Sequence, residues 1–159
     1  NKAGTILSTI TLNIAFPKTN RGIVFDAQGR MYMLGFNNNV YLVNLTTGAT
    51  TFKFQATGPT SEVESLAPLD NFAFLAVGVR SQILVITRGT GQMTNIATLP
   101  VGDLDSMTGT IGGWIYMSES GFGNSLLHAY NPFTQTYQSL GWANISHLSS
   151  LEELWPTAK

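Results

Sequence analysis

The sequence predicts an all-β chain built from repeated four-stranded antiparallel units, and three observations carry that expectation. Short runs rich in Val, Ile, Leu, Tyr, Phe and Thr alternate with Gly, Asn, Asp or Pro corners along nearly the whole chain. The aromatics Tyr32, Phe74 and Tyr116 stand 42 residues apart, and the runs that follow open at Val40, Ile83 and Leu126, 43 apart. The corners Thr46-Thr47-Gly48, Gly89-Thr90-Gly91 and Pro132-Phe133-Thr134 keep the same step, as do the tight turns Gln28-Gly29, Asp70-Asn71 and Gly112-Gly113. Four strands every ~40–45 residues is the pattern of β-propeller blades. One blade is a small sheet that is apolar on both faces, so it is stable only between neighbours. A β-sandwich has no cause to hold such a period.

Taken in order, the opening residues 4–15 fit the outermost strand D of a preceding blade, because Gly4 precedes Ile6, Leu7 and Ile10 as Gly48 precedes its own strand D. Blade 1 spans 21–55, with strands at 22–26, 30–35, 40–45 and 49–55. Blade 2 spans 63–99, with strands at 65–68, 72–77, 83–88 and 92–99. Blade 3 spans 105–140, with strands at 107–111, 114–118, 126–131 and 135–140. Residues 146–159 read as the start of a further blade or as a docking tail. Leu148, Leu151, Leu154 and Trp155 would share one face of a helix there, with Leu151, Leu154 and Trp155 as assembly contacts. About three blades plus flanking strands fall short of the ~4–8 that close a propeller. The expectation is completion by another copy, or by sequence absent from this chain, which starts at Asn1 and reads as a processed, truncated or internal piece.

Composition narrows the function classes. Charged residues make up 11% of the 159, against about 25% in an average domain. Eight Lys and Arg are scattered and the net charge is −1, which leaves no basic patch for a phosphate backbone and no case for nucleic acid. Cysteine is absent, so disulfides and thiolate metal sites are excluded. No apolar run approaches the ~18 residues of a membrane-spanning helix. The low-charge, Thr/Asn/Gly-rich character points to an extracellular or cell-surface protein. Asn44-Leu-Thr and Asn144-Ile-Ser are N-glycosylation acceptors.

Over Arg21–Gly48, "RGIVFDAQGRMYMLGFNNNVYLVNLTTG", the chain resembles blades of the six-bladed NHL, SMP-30/gluconolactonase and strictosidine-synthase-like propellers. Their blades run Gly-Ile-x-Phe-Asp-x-x-Gly-x-Leu-Tyr, then a turn, a third strand and a Thr-Gly corner. The resemblance implies a propeller and little about activity. The hydrolytic members hold a divalent metal through an early Glu and later Asn and Asp residues, and no matching Glu motif occurs here.

Blade geometry locates the candidate site. The connections between blades (16–21, 57–64, 101–105, 142–147) and the loops between second and third strands (36–39, 78–82, 119–125) share one face. That face collects Arg21, Glu62, Glu64, Arg80, Asp103, Asp105, Glu119 and Trp142 as candidate ligand or partner residues. The other face keeps short turns, with Asp70 and Arg88. Asp103 and Asp105 could offer oxygens to Ca²⁺, but two acids do not make a loop site. Glu62 with Glu64, or Glu119 with Asp105, could form a carboxylate pair. His128 and His147 have no Ser or Cys partner motif, and Gly89–Gln92 joins two strands instead of opening a helix, unlike a phosphate loop. Trp142 could stack on a sugar or anchor an interface. No catalytic residue, metal ligand or cofactor is assigned. The expected function is a non-enzymatic extracellular propeller module for protein binding or self-assembly. Its partner would be another copy or the remainder of a larger propeller. The alternatives are a glycan-binding propeller lectin and a metal-dependent lactonase-like hydrolase.

Overall fold

The computed structural model describes residues 9–12, 21–120 and 125–143. Within them, β1 (Gly22–Phe25), β2 (Met31–Leu34), β3 (Asn39–Val43) and β4 (Thr50–Gln55) form a first sheet. A second holds β5 (Val63–Pro68), β6 (Ala73–Gly78), β7 (Gln82–Thr87) and β8 (Met93–Thr98). A third holds β9 (Leu104–Ile111), β10 (Trp114–Ser120), β11 (Ser125–Asn131) and β12 (Thr136–Ala143). Each sheet is an antiparallel meander in chain order. Strands β5 and β9 begin earlier than the sequence pattern suggests. Glu64 and Asp105 break the apolar alternation there, and both strands carry a register shift near that end.

The sheets stack face on face, with β1 packed on β5 and β5 on β9. Val24, Tyr32, Leu34, Val40 and Phe54 of the first sheet meet Leu66, Phe74, Ala76, Leu84 and Ile86 of the second in one core. The opposite face of the second sheet supplies Leu75, Val77, Ile83 and Leu99 to another core, against Met107, Ile115, Met117 and Tyr130 of the third. Covered on both faces, β6 is buried along its whole length, whereas the outermost strands β4 and β8 are mostly exposed.

The stacking corrects one landmark of the repeat. Tyr32 and Phe74 are not equivalent residues. They project from facing sheets and meet edge to face, with ring centroids 5.1 Å apart. Leu75 is the true counterpart of Tyr32, and Tyr116 follows it in the third sheet, since Ile115 and Met117 share the core against the second sheet as Phe74 and Ala76 share the core against the first. A slip of one residue turns a strand's side chains to its other face. The aromatic spacing of 42 therefore averages a step of 43 and a step of 41.

The corners also join neighbouring sheets. Gly48 and Gly91 have φ of 72° and 74°, left-handed values that favour glycine. A Cβ on Gly91 would run into the carbonyl oxygen of Gln55, at the end of β4. A Cβ on Gly48 would run into the carbonyl oxygen of Thr11. Thr11 thus lies against the first sheet as the end of β4 lies against the second, although residues 9–12 carry no assigned strand. The backbone seals the Gly91 contact: Thr57 N–H donates to the Gly91 carbonyl (3.0 Å) and Met93 N–H to the Thr57 carbonyl (2.8 Å). In the third sheet the corner falls one residue later than expected. Asn131 Oδ1 accepts from the N–H groups of Phe133 and Thr134, and Gln135 takes the left-handed position at φ 55°.

Every sheet has a register shift at the same place in its last pair of strands: between Val40 and Tyr41, Ile83 and Leu84, and Leu127 and His128. The extra residues on the outer strands are Lys53, Ile96 and Leu140. The expected strand over 4–15 and the helix or strand over 146–159 lie largely or wholly outside the described residues.

Gly91→Ala should lower the unfolding free energy by about 2–4 kcal/mol, the left-handed strain adding to the clash with Gln55. Gly29→Ala, at φ 72° with nothing within 4 Å of the added Cβ, should cost only ~1–2 kcal/mol. Urea unfolding of both variants measures the difference, and equal losses would discount the close approach.

Candidate functional site

The loop-rich face is organised by two turns that repeat in the first and second sheets. Phe36–Asn38 and Val79–Ser81 are single 3-10 turns whose last two residues adopt left-handed backbone, with φ near 60° at Asn37, Asn38, Arg80 and Ser81. Asn38 is buried and acts as a strut. Its carbonyl accepts from Ala56 N–H (2.8 Å), its Oδ1 accepts from Val63 N–H (2.8 Å), and its Nδ2 donates to the Ser61 carbonyl (3.1 Å). Ser81 does the same one sheet later. Its carbonyl accepts from Leu99 N–H (3.0 Å), and its hydroxyl reaches the carbonyls of Val101 and Gly102. Each turn therefore clamps the connection that leads to the next sheet. The sequence reading passed over both residues, although they stand 43 apart.

Three of the expected site residues come together. The Arg21 guanidinium contacts Glu62 and places Nη1 2.6 Å from Glu64 Oε2, and it lies over the Phe36 ring at 5.8 Å. Nη1 meets Glu64 off the line a hydrogen bond requires, so that contact is ionic. The cluster ties the first sheet to the second and largely neutralises itself. Arg80 and Asp103 are exposed, and Asp105 is half-buried on β9. Among the described residues no three His, Cys, Asp or Glu side chains gather as a metal site.

Glu119 belongs to a second cluster. Its Oε2 lies 3.1 Å from His128 Nε2, and His128 Nδ1 lies 2.9 Å from the Tyr137 hydroxyl. The Tyr137 and His128 rings stack at 5.7 Å. Register places these three residues where Gly78, Leu84 and Met93 stand in the second sheet. A glycine and two apolar side chains are thus replaced by a carboxylate, an imidazole and a phenol. Burial, then the Glu119 charge, pushes the Tyr137 hydroxyl pKa up, partly offset by a hydrogen bond with Ser139. His128 is only 1% exposed. Trp142, on β12 opposite Leu126, is 67% exposed. Gln55 and Thr98 hold its position in the other two sheets. Asn144, His147, Leu151, Leu154 and Trp155 lie outside the described residues.

No protein-family model and no curated protein sequence matches this chain. Solved structures do. A chain of a nidogen/laminin complex superposes with a TM-score of 0.63 at 14% identity, over 82% of this chain and 51% of that one. A structural genomics protein of unknown function from Bacteroides thetaiotaomicron gives 0.59 at 18% identity, over 74% and 32%. Virginiamycin B lyase from Staphylococcus aureus gives 0.56 at 14%, over 82% and 44%. The fold is a β-propeller. The three sheets are its blades, and the chain spans about half the length of the nidogen/laminin chain it matches.

On the face of short turns Asp70 is exposed, whereas Arg88 is not a surface charge. Arg88 folds inward between blades 1 and 2. Its guanidinium lies 4.0 Å from the Phe74 ring centroid and 5.4 Å from that of Tyr32, and Nη1 reaches Asp26 Oδ2 at 3.2 Å. Asp26, itself buried, accepts from the N–H groups of Gln28 (3.0 Å) and Arg30 (2.9 Å) and from Arg30 Nε (2.7 Å). Burial pushes the Asp26 carboxyl pKa up. The hydrogen bonds from the Arg30 backbone and guanidinium, with that guanidinium's charge and the Gln28 N–H, outweigh it and hold the pKa below the usual 3.8. Apolar side chains share this surface: Phe72 and Phe133 are largely exposed and Leu45 partly so.

Two substitutions follow from these struts. Asp26→Asn should destabilise the chain at pH 7 by about 1–3 kcal/mol. Because folding lowers this pKa, the stabilisation is present above 3.8 and is lost as pH falls through the folded value. Wild type and variant should therefore converge in acid, which urea unfolding across pH measures. Asn38→Ala should cost ~1–3 kcal/mol by leaving the Val63 N–H buried without its acceptor, while Trp142→Ala should change stability by less than ~1 kcal/mol.

Proposed function

We propose that this chain is a non-enzymatic, extracellular β-propeller module that binds protein, copies of itself included. The observation that carries this reading is the outward face of blade 1. Cross-strand pairing sets Ile23, Met33, Tyr41 and Phe52 in one row and Phe25, Met31 and Val43 in the next. The equivalent rows of blades 2 and 3 are covered by a neighbouring blade. On blade 1, Ile23, Phe25 and Phe52 are 45%, 41% and 54% exposed. Met33 and Val43 in the same rows are buried, so the exposed apolar surface is Ile23 and Phe25 on one side of the sheet, in β1, and Phe52 on the other, in β4. Exposed apolar side chains of this size mark an interaction site.

Other observations support the reading. Arg21, Glu62 and Glu64 are engaged with one another, and His128 lies too deep for a substrate to reach. The low charge content suits an extracellular surface. The nidogen/laminin structure is an instance of a similar fold within a protein complex. Among the described residues no helix is long and apolar enough to cross a membrane.

Analytical ultracentrifugation tests the reading directly. The wild-type chain should show a mass that rises with concentration. Phe25→Glu with Phe52→Glu should shift it to monomer with an unchanged circular dichroism spectrum. A wild-type chain that stays monomeric at every concentration and shows no change in exposure of blade 1 with any added protein would defeat the proposal.

A further inference from the structure

The corners between the third and fourth strands of the blades recur at Asn44–Gly48, Thr87–Gly91 and Asn131–Gln135, each ending on a left-handed residue. In the first, Asn44 Oδ1 accepts from the N–H groups of Thr46 (2.9 Å) and Thr47 (3.0 Å), and the Thr47 hydroxyl accepts from Ala49 N–H (3.3 Å). Asn131 builds the same turn in blade 3. The turn therefore explains an asparagine at position 44. It does not explain Thr46. The Thr46 hydroxyl has no hydrogen-bond partner among the described residues, and the other two corners hold Gly89 and Phe133 at its position.

Asn44 and Thr46 are both exposed. With Oδ1 turned to the backbone, the Asn44 Nδ2 amide is left without a partner among the described residues. Asn44 also borders a cleft of about 380 Å³, lined as well by Gly29, Arg30, Leu42, Leu45 and Thr51, so open space adjoins the corner. Leu45, between Asn44 and Thr46, is 42% exposed, an apolar side chain that the fold itself leaves in water.

We propose that Asn44 carries an N-linked glycan, with Thr46 supplying the hydroxyl that the transfer requires. The proposal rests on the extracellular reading above and adds a covalent feature to it. Asn44 Nδ2 gives up a proton and bonds to the anomeric carbon of a lipid-linked oligosaccharyl phosphate donor. The bond from that carbon to the phosphate oxygen breaks, and the lipid phosphate leaves. Oδ1 keeps both of its hydrogen bonds, so the corner holds its shape. The glycan is bulky and hydrated, and it shields Leu45 from water. It projects from the end of blade 1 that carries the short turns and leaves the loop-rich face clear for partners.

Mass spectrometry of the protein isolated from its source, cells and medium separately, tests this. The intact chain should exceed the mass of its sequence. Fragmentation of the peptide 31–53, released by cleavage after Arg30 and Lys53, should place the addition on Asn44. Thr46→Ala should return that peptide to its bare mass with an unchanged circular dichroism spectrum, since no hydrogen bond of the corner uses that hydroxyl. Thr46→Ser should keep the addition. A chain recovered from the medium or the cell surface with Asn44 bare overturns the glycan and leaves the extracellular reading standing. A chain confined to the cell interior and bare at Asn44 overturns both. An addition confined to Asn144, or one on Asn44 that persists in the Thr46→Ala variant, also overturns the proposal.

Discussion

The structure depends on one arrangement, the packing of a strand from one blade into the face of the next around a buried ion pair. Tyr32 and Phe74 meet edge to face, Arg88 stacks on both, and Asp26 receives the guanidinium. The arrangement is not free of cost, because Nε and Nη2 of Arg88 are buried without a hydrogen-bond partner. Cation–π attraction in a desolvated setting, on the order of 2 kcal/mol, and the Asp26 pairing offset that penalty. Asp26 also organises its own turn, so one carboxylate links the first hairpin of blade 1 to a corner of blade 2.

The repeat is not uniform in how it joins its blades. The first interface is closed by aromatic stacking and the Arg21 and Arg88 clasps at its two ends. The second replaces an apolar column with Glu119, His128 and Tyr137. A hydrogen-bonded polar column fixes relative position through direction, where an apolar column does so through shape. The same backbone plan thus supports two kinds of joint, and the difference lies in side chains that no blade motif specifies.

The plan of four strands per unit was legible in the sequence because corners and apolar runs both obey it. The facing of each strand was less so. Tyr32 and Phe74 look like counterparts by type and spacing, yet the turns before β2 and β6 are equally long, and pairing puts Leu75 opposite Ala67 as Tyr32 stands opposite Val24, so Phe74 points to the other face. The long-range partners were not legible at all. Arg88 reads as a surface charge, and only the stacked blades show that its side chain turns inward. Blade geometry assigns Arg21, Glu62 and Glu64 to one face, but spacing cannot disclose that they neutralise one another. Asn38 and Ser81 escaped notice because small polar residues in a turn ordinarily face water, and here the following connection wraps over them.

The bulges at Lys53, Ile96 and Leu140 recur on every outer strand, and they bear on which contacts the protein avoids. A flat rim of unpaired N–H and C=O groups would template further strands sideways, in the manner of cross-β growth. An extra residue in the middle of the rim breaks its hydrogen-bonding cadence and increases the local twist. Lateral zippering between sheets is thereby disfavoured in each blade. Strands β4, β8 and β12 can then sit at the rim of their sheets without becoming a seed for amyloid.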